Sequence, residues 1–178
     1  MKKTLILGSN SFSGNHLAAF LIKKGFFVIG ISQSSQNQGK YNPLSDLTKK
    51  KKKKFIFLKC DINREFYNLK KIILKYKPYL IIDFLGQGMV AESWVCPELT
   101  FKSNLISKIR LYEFLKNKKF LKKYIKISTP EVFGSATINE NKFNNYKPST
   151  PYALSHSTIE TYIMMLKKHH NFPAIISR

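Results

Sequence analysis

The chain has 178 residues, a formal net charge of +21 and a hydrophobic fraction of 43%, which suits one ordinary globular core and leaves no room for a second full domain. No run approaches the roughly 18 apolar residues that cross a bilayer, so a membrane protein is not expected. Of the 31 basic residues only three are arginine (Arg64, Arg110 and Arg178), and Asn, Ile and Phe are also plentiful; this is the signature of AT-rich coding sequence rather than of a specific nucleic-acid binder, although such a surface still attracts anionic ligands, nucleotides included.

Met1-Lys2-Lys3 before Leu5-Ile6-Leu7 has the outline of a signal peptide, but Gly8-Ser9-Asn10-Ser11 interrupts the apolar stretch, and a buried first strand over Thr4–Leu7 is expected instead. Asn15–Lys24 reads as a helix ended by Gly25, and Phe26–Ile31 as a second strand. Ser32–Lys54 is polar and reads as a long loop with room for a short helix; its six lysines, Lys49–Lys54, are a solvated charge run in a connection. Phe55–Lys59 is a third strand, Phe66–Tyr76 a helix closed before Pro78, and Tyr79–Leu85 a fourth strand, nearly all apolar as a strand buried on both faces should be. Glu98–Asn117 is a helix, Tyr124–Ser128 a fifth strand, Pro151–His169 a helix with proline at its start, and Ala174–Ser177 the beginning of a sixth strand. Cys60 and Cys96 lie far apart with no metal-ligand spacing, which points to a reduced, cytoplasmic protein with no metal site.

Strands alternating with helices predict one α/β domain over 1–178, a doubly wound parallel sheet with right-handed crossovers. Ligands of such sheets lie at the carboxyl ends of the strands, near the point where strand order reverses. Gly8, Ser32, Asp61, Leu85 and Ser128 all fall at strand ends on that side.

The turn from Gly8 to Gly14 links the first strand to the first helix. A pyrophosphate needs backbone N–H groups at a helix N-terminus and no side chain blocking its approach. Gly8 and Gly14 fit the first and third glycines of a G-x-x-G-x-x-G turn, with Ser11 in the middle place. Ser32 stands where an acidic residue often holds the adenosine ribose of NAD; without that carboxylate the site leans toward NADP, for which Lys40 or the lysine run could supply a cation. Asp61 can accept from an adenine amino group or cap the next helix. Ser128, Thr129 and Glu131 close the fifth strand, and Tyr152 opens the following helix. Oxidising a sugar hydroxyl requires a base for its proton, and a tyrosinate serves when nearby positive charge lowers its pKa.

Taken together, these segments resemble the extended short-chain dehydrogenase/reductases, specifically the NAD-dependent epimerase/dehydratase family, and within it the nucleotide-sugar 4,6-dehydratases of the dTDP-glucose type. The resemblance runs over the whole chain, through Leu7-Gly8 to Gly14-Asn15-His16-Leu17, Cys60-Asp61-Ile62, Met89-Val90-Ala91-Glu92-Ser93-Trp94 with Pro97, Asn104, Ser128-Thr129-Pro130-Glu131-Val132-Phe133-Gly134 and Ser149-Thr150-Pro151-Tyr152-Ala153-Leu154-Ser155. It implies a Rossmann-like fold, NAD as cofactor, a nucleotide sugar as substrate, and a homodimer paired through the helices after the fourth and fifth strands. Tyr152 would take the proton of the sugar's C4 hydroxyl, Thr129 with Ser128 beside it would hydrogen-bond that oxygen, and Glu131 would remove the C5 proton. Asn104 would match the family's structural asparagine beside the cofactor. Gly8, Ser11, Phe12, Gly14, Asp61 with Ile62, and Leu85 would line the dinucleotide.

The chain departs from the family pattern in three places. Pro130 stands where many dehydratases carry the Asp that protonates the leaving hydroxyl at C6. His156 stands in place of the lysine one turn after the tyrosine, and at pH 7 an imidazole of ordinary pKa is mostly neutral. The sequence also ends in the sixth strand, without the family's remaining strand and substrate-binding region, which would leave an unpaired edge. The alternatives are an epimerase or reductase on the same substrates, or a cofactor-binding module without catalysis. A nucleic-acid reading has only charge behind it, without basic stripes interleaved with aromatics.

Overall fold

The computed structural model describes residues 2–36, 42–134 and 145–178; Lys40, the candidate cation for an NADP phosphate, lies outside the described residues. Strands β1 (Lys3–Leu7), β2 (Phe27–Ser32), β3 (Phe55–Lys59), β4 (Leu80–Asp83), β5 (Lys123–Ile127) and β6 (Ala174–Ser177) form a six-stranded sheet in the order β3-β2-β1-β4-β5-β6. The four pairings from β3 to β5 are parallel. This is the expected doubly wound, Rossmann-like α/β architecture. The helices are α1 (Phe12–Lys23), α2 (Lys49–Lys52), α3 (Phe66–Tyr76), α4 (Val90–Val95), α5 (Pro97–Phe101), α6 (Ser107–Leu115) and α7 (Pro151–His170). Among the described residues no helix is long and apolar enough to cross a membrane.

The chain divides into two compact units, one of residues 1–85 with 118–126 and one of 86–117 with 127–178. In the first, β1 is buried from Thr4 to Leu7, as its unbroken apolar run requires of a central parallel strand. Leu7 stands beside Ile31 on one side and Asp83 on the other, so β1, β2 and β4 finish level with one another. β4 stops at Asp83, two residues before the expected Leu85, because the buried Asp83 carboxylate accepts the Leu85 N–H at 3.0 Å and turns the chain there. Its other oxygen accepts the Tyr124 hydroxyl at 2.5 Å from β5. The lysine run holds only the four-residue α2, capped by Thr48 and wholly exposed.

In the second unit the expected helix over Glu98–Asn117 is interrupted. A π turn at Lys102–Ile106 separates α5 from α6 and presents Asn104 inward. Such bulges frequently mark functional sites. The short α4 and a 3-10 turn at Pro130–Phe133 occupy stretches where the sequence carries no clear period. Helix α7 buries Ala153, Ile159, Ile163 and Leu166 together with one charged side chain, Glu160, which has no exposed surface. A buried carboxylate is tolerated when donors surround it. Glu160 accepts from Ser128, from Arg178 and, at 2.8 Å, from the Tyr146 hydroxyl.

Two stability predictions follow from these buried carboxylates. Tyr124→Phe removes a donor from fully buried Asp83 and should cost about 1–3 kcal/mol, read as a lower urea midpoint; an unchanged midpoint would contradict the role given to that hydrogen bond. The Tyr146 phenol is pushed up to about 12, first by burial and then by its hydrogen bond to Glu160. Its pKa is raised on folding, so the stability it contributes is whole below the unfolded value near 10 and is lost as pH rises toward about 12. Tyr146→Phe should therefore make stability fall less steeply across that window, measured by denaturant unfolding at stepped alkaline pH.

Candidate active site

The first unit brings together the expected dinucleotide residues at the carboxyl ends of β1 to β4. Gly8 turns the chain out of β1 at φ +79, and a Cβ there would stand 3.0 Å from the Phe84 carbonyl carbon. Ser11 caps α1: its hydroxyl donates to the Gly8 carbonyl at 2.8 Å and accepts the Gly14 N–H at 3.1 Å. That double engagement is why a serine suits the middle place of the glycine pattern. A Cβ on Gly14 would lie 2.5 Å from the Gly8 oxygen, so this loop closes only around a glycine. Phe12 and Ser13 are the first two residues of α1, so their N–H groups have no intrahelical acceptor, and the helix dipole favours an anion beside them. These features fit a pyrophosphate.

Around this cradle the other candidates are placed as follows. The Asn10 N–H donates to the Ser32 hydroxyl at 3.0 Å, and its amide donates to Ser34 Oγ at 2.9 Å and to the Ser35 carbonyl at 2.7 Å. Ser32 thus anchors the Gly8–Gly14 loop to the end of β2. Asp61 accepts the Asn63 N–H at 2.8 Å and shapes the turn ahead of α3, whose cap position is taken by Glu65. Ile62 is buried and Leu85 half-buried, whereas Phe12 is exposed against the His16 ring, 4.3 Å between centroids.

The second unit brings together Ser128, Thr129, Glu131, Tyr152 and His156. Thr150 caps α7 by accepting the Ala153 N–H at 3.0 Å, Pro151 takes the first helical position, and the Tyr152 N–H donates to the buried Ser93 hydroxyl at 3.2 Å. Tyr152, His156 and Glu160 then recur every four residues along one face of α7. Burial raises the Tyr152 pKa; a hydrogen bond from Thr129 opposes this, and the negative charge of Glu131 adds to the rise. The His156 ring is 6% exposed and tilted against Tyr152, 4.6 Å between centroids. Its Nδ1 lies 3.3 Å from Ser128 Oγ. Thr129 also caps the 3-10 turn that carries Pro130 and exposed Glu131. Asn104 accepts the Gln87 N–H at 2.7 Å and donates to the Gln87 carbonyl at 3.0 Å and to Ser155 at 3.1 Å, so its side chain ties the 86–88 turn to α7.

Sequence reasoning missed Asn10, Ser93 and Glu160. Asn10 and Ser93 are loop and short-helix residues with no periodic signal. Glu160 was accessible as the one acidic residue among the inward positions of α7, four residues beyond His156. The arrangement supplies a phenol influenced by a neighbouring threonine hydroxyl and by a carboxylate, groups able to move protons.

Known proteins share this arrangement of elements. The chain is 29% identical to a dTDP-D-glucose 4,6-dehydratase of Dictyostelium discoideum, over all of the chain and 43% of that protein. It is 30% identical to a GDP-mannose 4,6-dehydratase of Vibrio cholerae, over 86% of the chain and 42% of that protein. The chain thus spans less than half the length of these curated relatives. Among solved structures it superimposes on the UDP-glucuronic acid 4-epimerase of Bacillus cereus, in complex with UDP-glucuronic acid and NAD, with a TM-score of 0.81 at 24% identity, covering 98% of the chain and 55% of the epimerase. The UDP-Glc/GlcNAc 4-epimerase of Campylobacter jejuni gives 0.84 at 21% identity, over 99% and 52%. The family model described as GDP-mannose 4,6 dehydratase matches residues 5–178, and the chain belongs to that nucleotide-sugar dehydratase and epimerase family.

Proposed function

We propose that this chain is the cofactor-binding and catalytic part of an NAD-dependent nucleotide-sugar 4,6-dehydratase. The observation that carries the reading is Tyr152 set against Thr129 and Glu131 within one compact unit. The cradle at the start of α1 would hold the pyrophosphate through backbone N–H groups, with Gly14 letting the loop close against the Gly8 carbonyl. NAD is supported by the solved structures that share the fold, among them NAD complexes from Brucella ovis, Thermus thermophilus and Bacillus cereus. The Ser32 hydroxyl, engaged by the Asn10 N–H, argues for neither NAD nor NADP.

When bound, NAD supplies the hydride acceptor for C4 of the sugar and a positive ring charge. The chain's own residues handle the protons. The Thr129 hydroxyl fixes the C4 oxygen, Tyr152 takes its proton, and Glu131 takes the proton from C5 and would have to return it to the C6 hydroxyl, which then leaves as water. Tyr152 has to ionise against its burial and against Glu131, so positive charge near the ring is a requirement, and a protonated His156 is one source of it. Pro130 has no proton to give the leaving group, and this favours a second reading, an epimerase that needs none.

The free thiols Cys60 and Cys96 support a cytoplasmic setting. Ile109 of α6 and exposed Met165 of α7 line an open apolar cavity of about 410 Å³, which supports pairing of two copies there.

Titrating the purified chain with NAD and NADP while following thermal unfolding tests the cofactor half. Binding at a hundredfold excess over Kd should stabilise by about 2.7 kcal/mol, and a folded chain indifferent to both overturns the reading. Formation of reduced cofactor at 340 nm with dTDP-glucose, GDP-mannose and UDP-glucose tests the catalytic half. Tyr152→Phe should slow it by about 10²–10⁴-fold while leaving NAD binding intact. His156→Lys should raise turnover.

A further inference from the structure

Ser128 stands between two members of the α7 face. Its hydroxyl donates to Oε1 of Glu160, and its oxygen lies 3.3 Å from Nδ1 of His156. A hydroxyl has one proton to give. The other Glu160 oxygen holds the Arg178 guanidinium and accepts the Tyr146 hydroxyl, so this carboxylate is an acceptor at every contact and takes the Ser128 proton. Toward His156, Ser128 then has only a lone pair, and a hydrogen bond between them requires the proton on Nδ1. Glu160 is fully buried and His156 nearly so, which strengthens each link of the chain.

We propose that Glu160 and Ser128 are positioning residues that hold His156 in its Nδ1–H form, so that the ring, which packs against Tyr152, exchanges its second proton at Nε2, while Thr129 alone holds the substrate oxygen. This divides the labour of two neighbouring hydroxyls: Ser128 serves the imidazole and Thr129 serves the phenol. Only the use made of the Nε2 proton rests on the proposed dehydratase function; the tautomer is a property of the chain itself.

The test is two-bond ¹H–¹⁵N correlation of the ring nitrogens in the full chain labelled at histidine, above pH 8, where ordinary imidazoles are neutral. The His156 signals are assigned by their loss in His156→Gln. His16, whose Nδ1 is 2.9 Å from the Phe12 carbonyl, an obligatory acceptor, provides an Nδ1–H reference in the same molecule. His156 should show the Nδ1–H pattern. Ser128→Ala should shift it toward the Nε2–H form that free histidine prefers, with the circular dichroism unchanged. Glu160→Gln should go further: the amide can donate to Ser128, which frees the serine proton for Nδ1 and turns the ring to Nε2–H. Should Glu160→Gln fail to fold with Arg178 left unpaired, Ser128→Ala decides alone, since it keeps that ion pair. An Nε2–H pattern in the unaltered chain, or a folded Ser128→Ala with the Nδ1–H pattern retained, overturns the proposal. Neither readout needs cofactor or turnover, so a chain that binds no NAD would sink the proposed function and leave this result standing.

Discussion

A carboxylate with no exposed surface has to be surrounded by donors, and in the second unit that carboxylate is Glu160. Three donors converge on it: one from the end of β5, one from the residue after β6, and one from the segment leading into α7. Because the desolvated charge is costly wherever it is left uncompensated, these three chain segments are held against α7 together. Arg178 also lies over the rings of Phe133 and Tyr146, at 4.9 and 5.9 Å, so the guanidinium is shared between ion pair and aromatic faces. The candidate catalytic residues sit on this frame. Ser128 is one of its donors, His156 leans on that donor, and Tyr152 is the next residue up the same helical face.

The first unit is built on a different principle. Its loop is made of backbone groups and of places where a side chain is missing, so recognition of a pyrophosphate there would depend on conformation more than on residue identity. This explains how Ser11 stands in a glycine pattern without loss of the turn: its hydroxyl bridges the Gly8 carbonyl and the Gly14 N–H, doing by side chain what a tight backbone would do by proximity. Gly14 has no such freedom, because its missing Cβ is the space the Gly8 oxygen fills.

The fold was largely legible because its signals are local. The apolar runs at Phe55–Lys59 and Ala174–Ser177 became strands with the expected ends, and the helix over Phe66–Tyr76 was read to the residue. Where the reading slipped, a side chain overrode the period. Asp83 captured the Leu85 N–H and ended β4 early, and the π turn around Asn104 broke a helix whose apolar spacing gave no warning. Asp61 was legible as an important strand-end residue, but its geometry belongs to the turn before α3, since Glu65 occupies the cap. Tyr152, Thr129 and Glu131 were legible as a set because strand end and helix start are both punctuated by proline and hydroxyl residues. Glu160 was not, because a single acidic residue in a twenty-residue helix looks like surface until its partners from three segments are seen.

The exchange of lysine for His156 changes the electrostatics of Tyr152 in a direction that can be argued. Burial and the Glu131 carboxylate both favour the neutral phenol, and Thr129 acts against them. A lysine would offset them at every physiological pH, because its charge is permanent there. An imidazole offsets them only in its protonated form, and a buried, uncompensated imidazolium is itself disfavoured. Here Ser128 links the imidazole to the buried Glu160 carboxylate, which pairs with Arg178. Were Tyr152 the base of the proposed reaction, its activation would depend on an imidazole instead of on a fixed charge. In place of a lysine's constant charge, α7 carries an imidazole that Ser128 links to the buried Glu160–Arg178 pair.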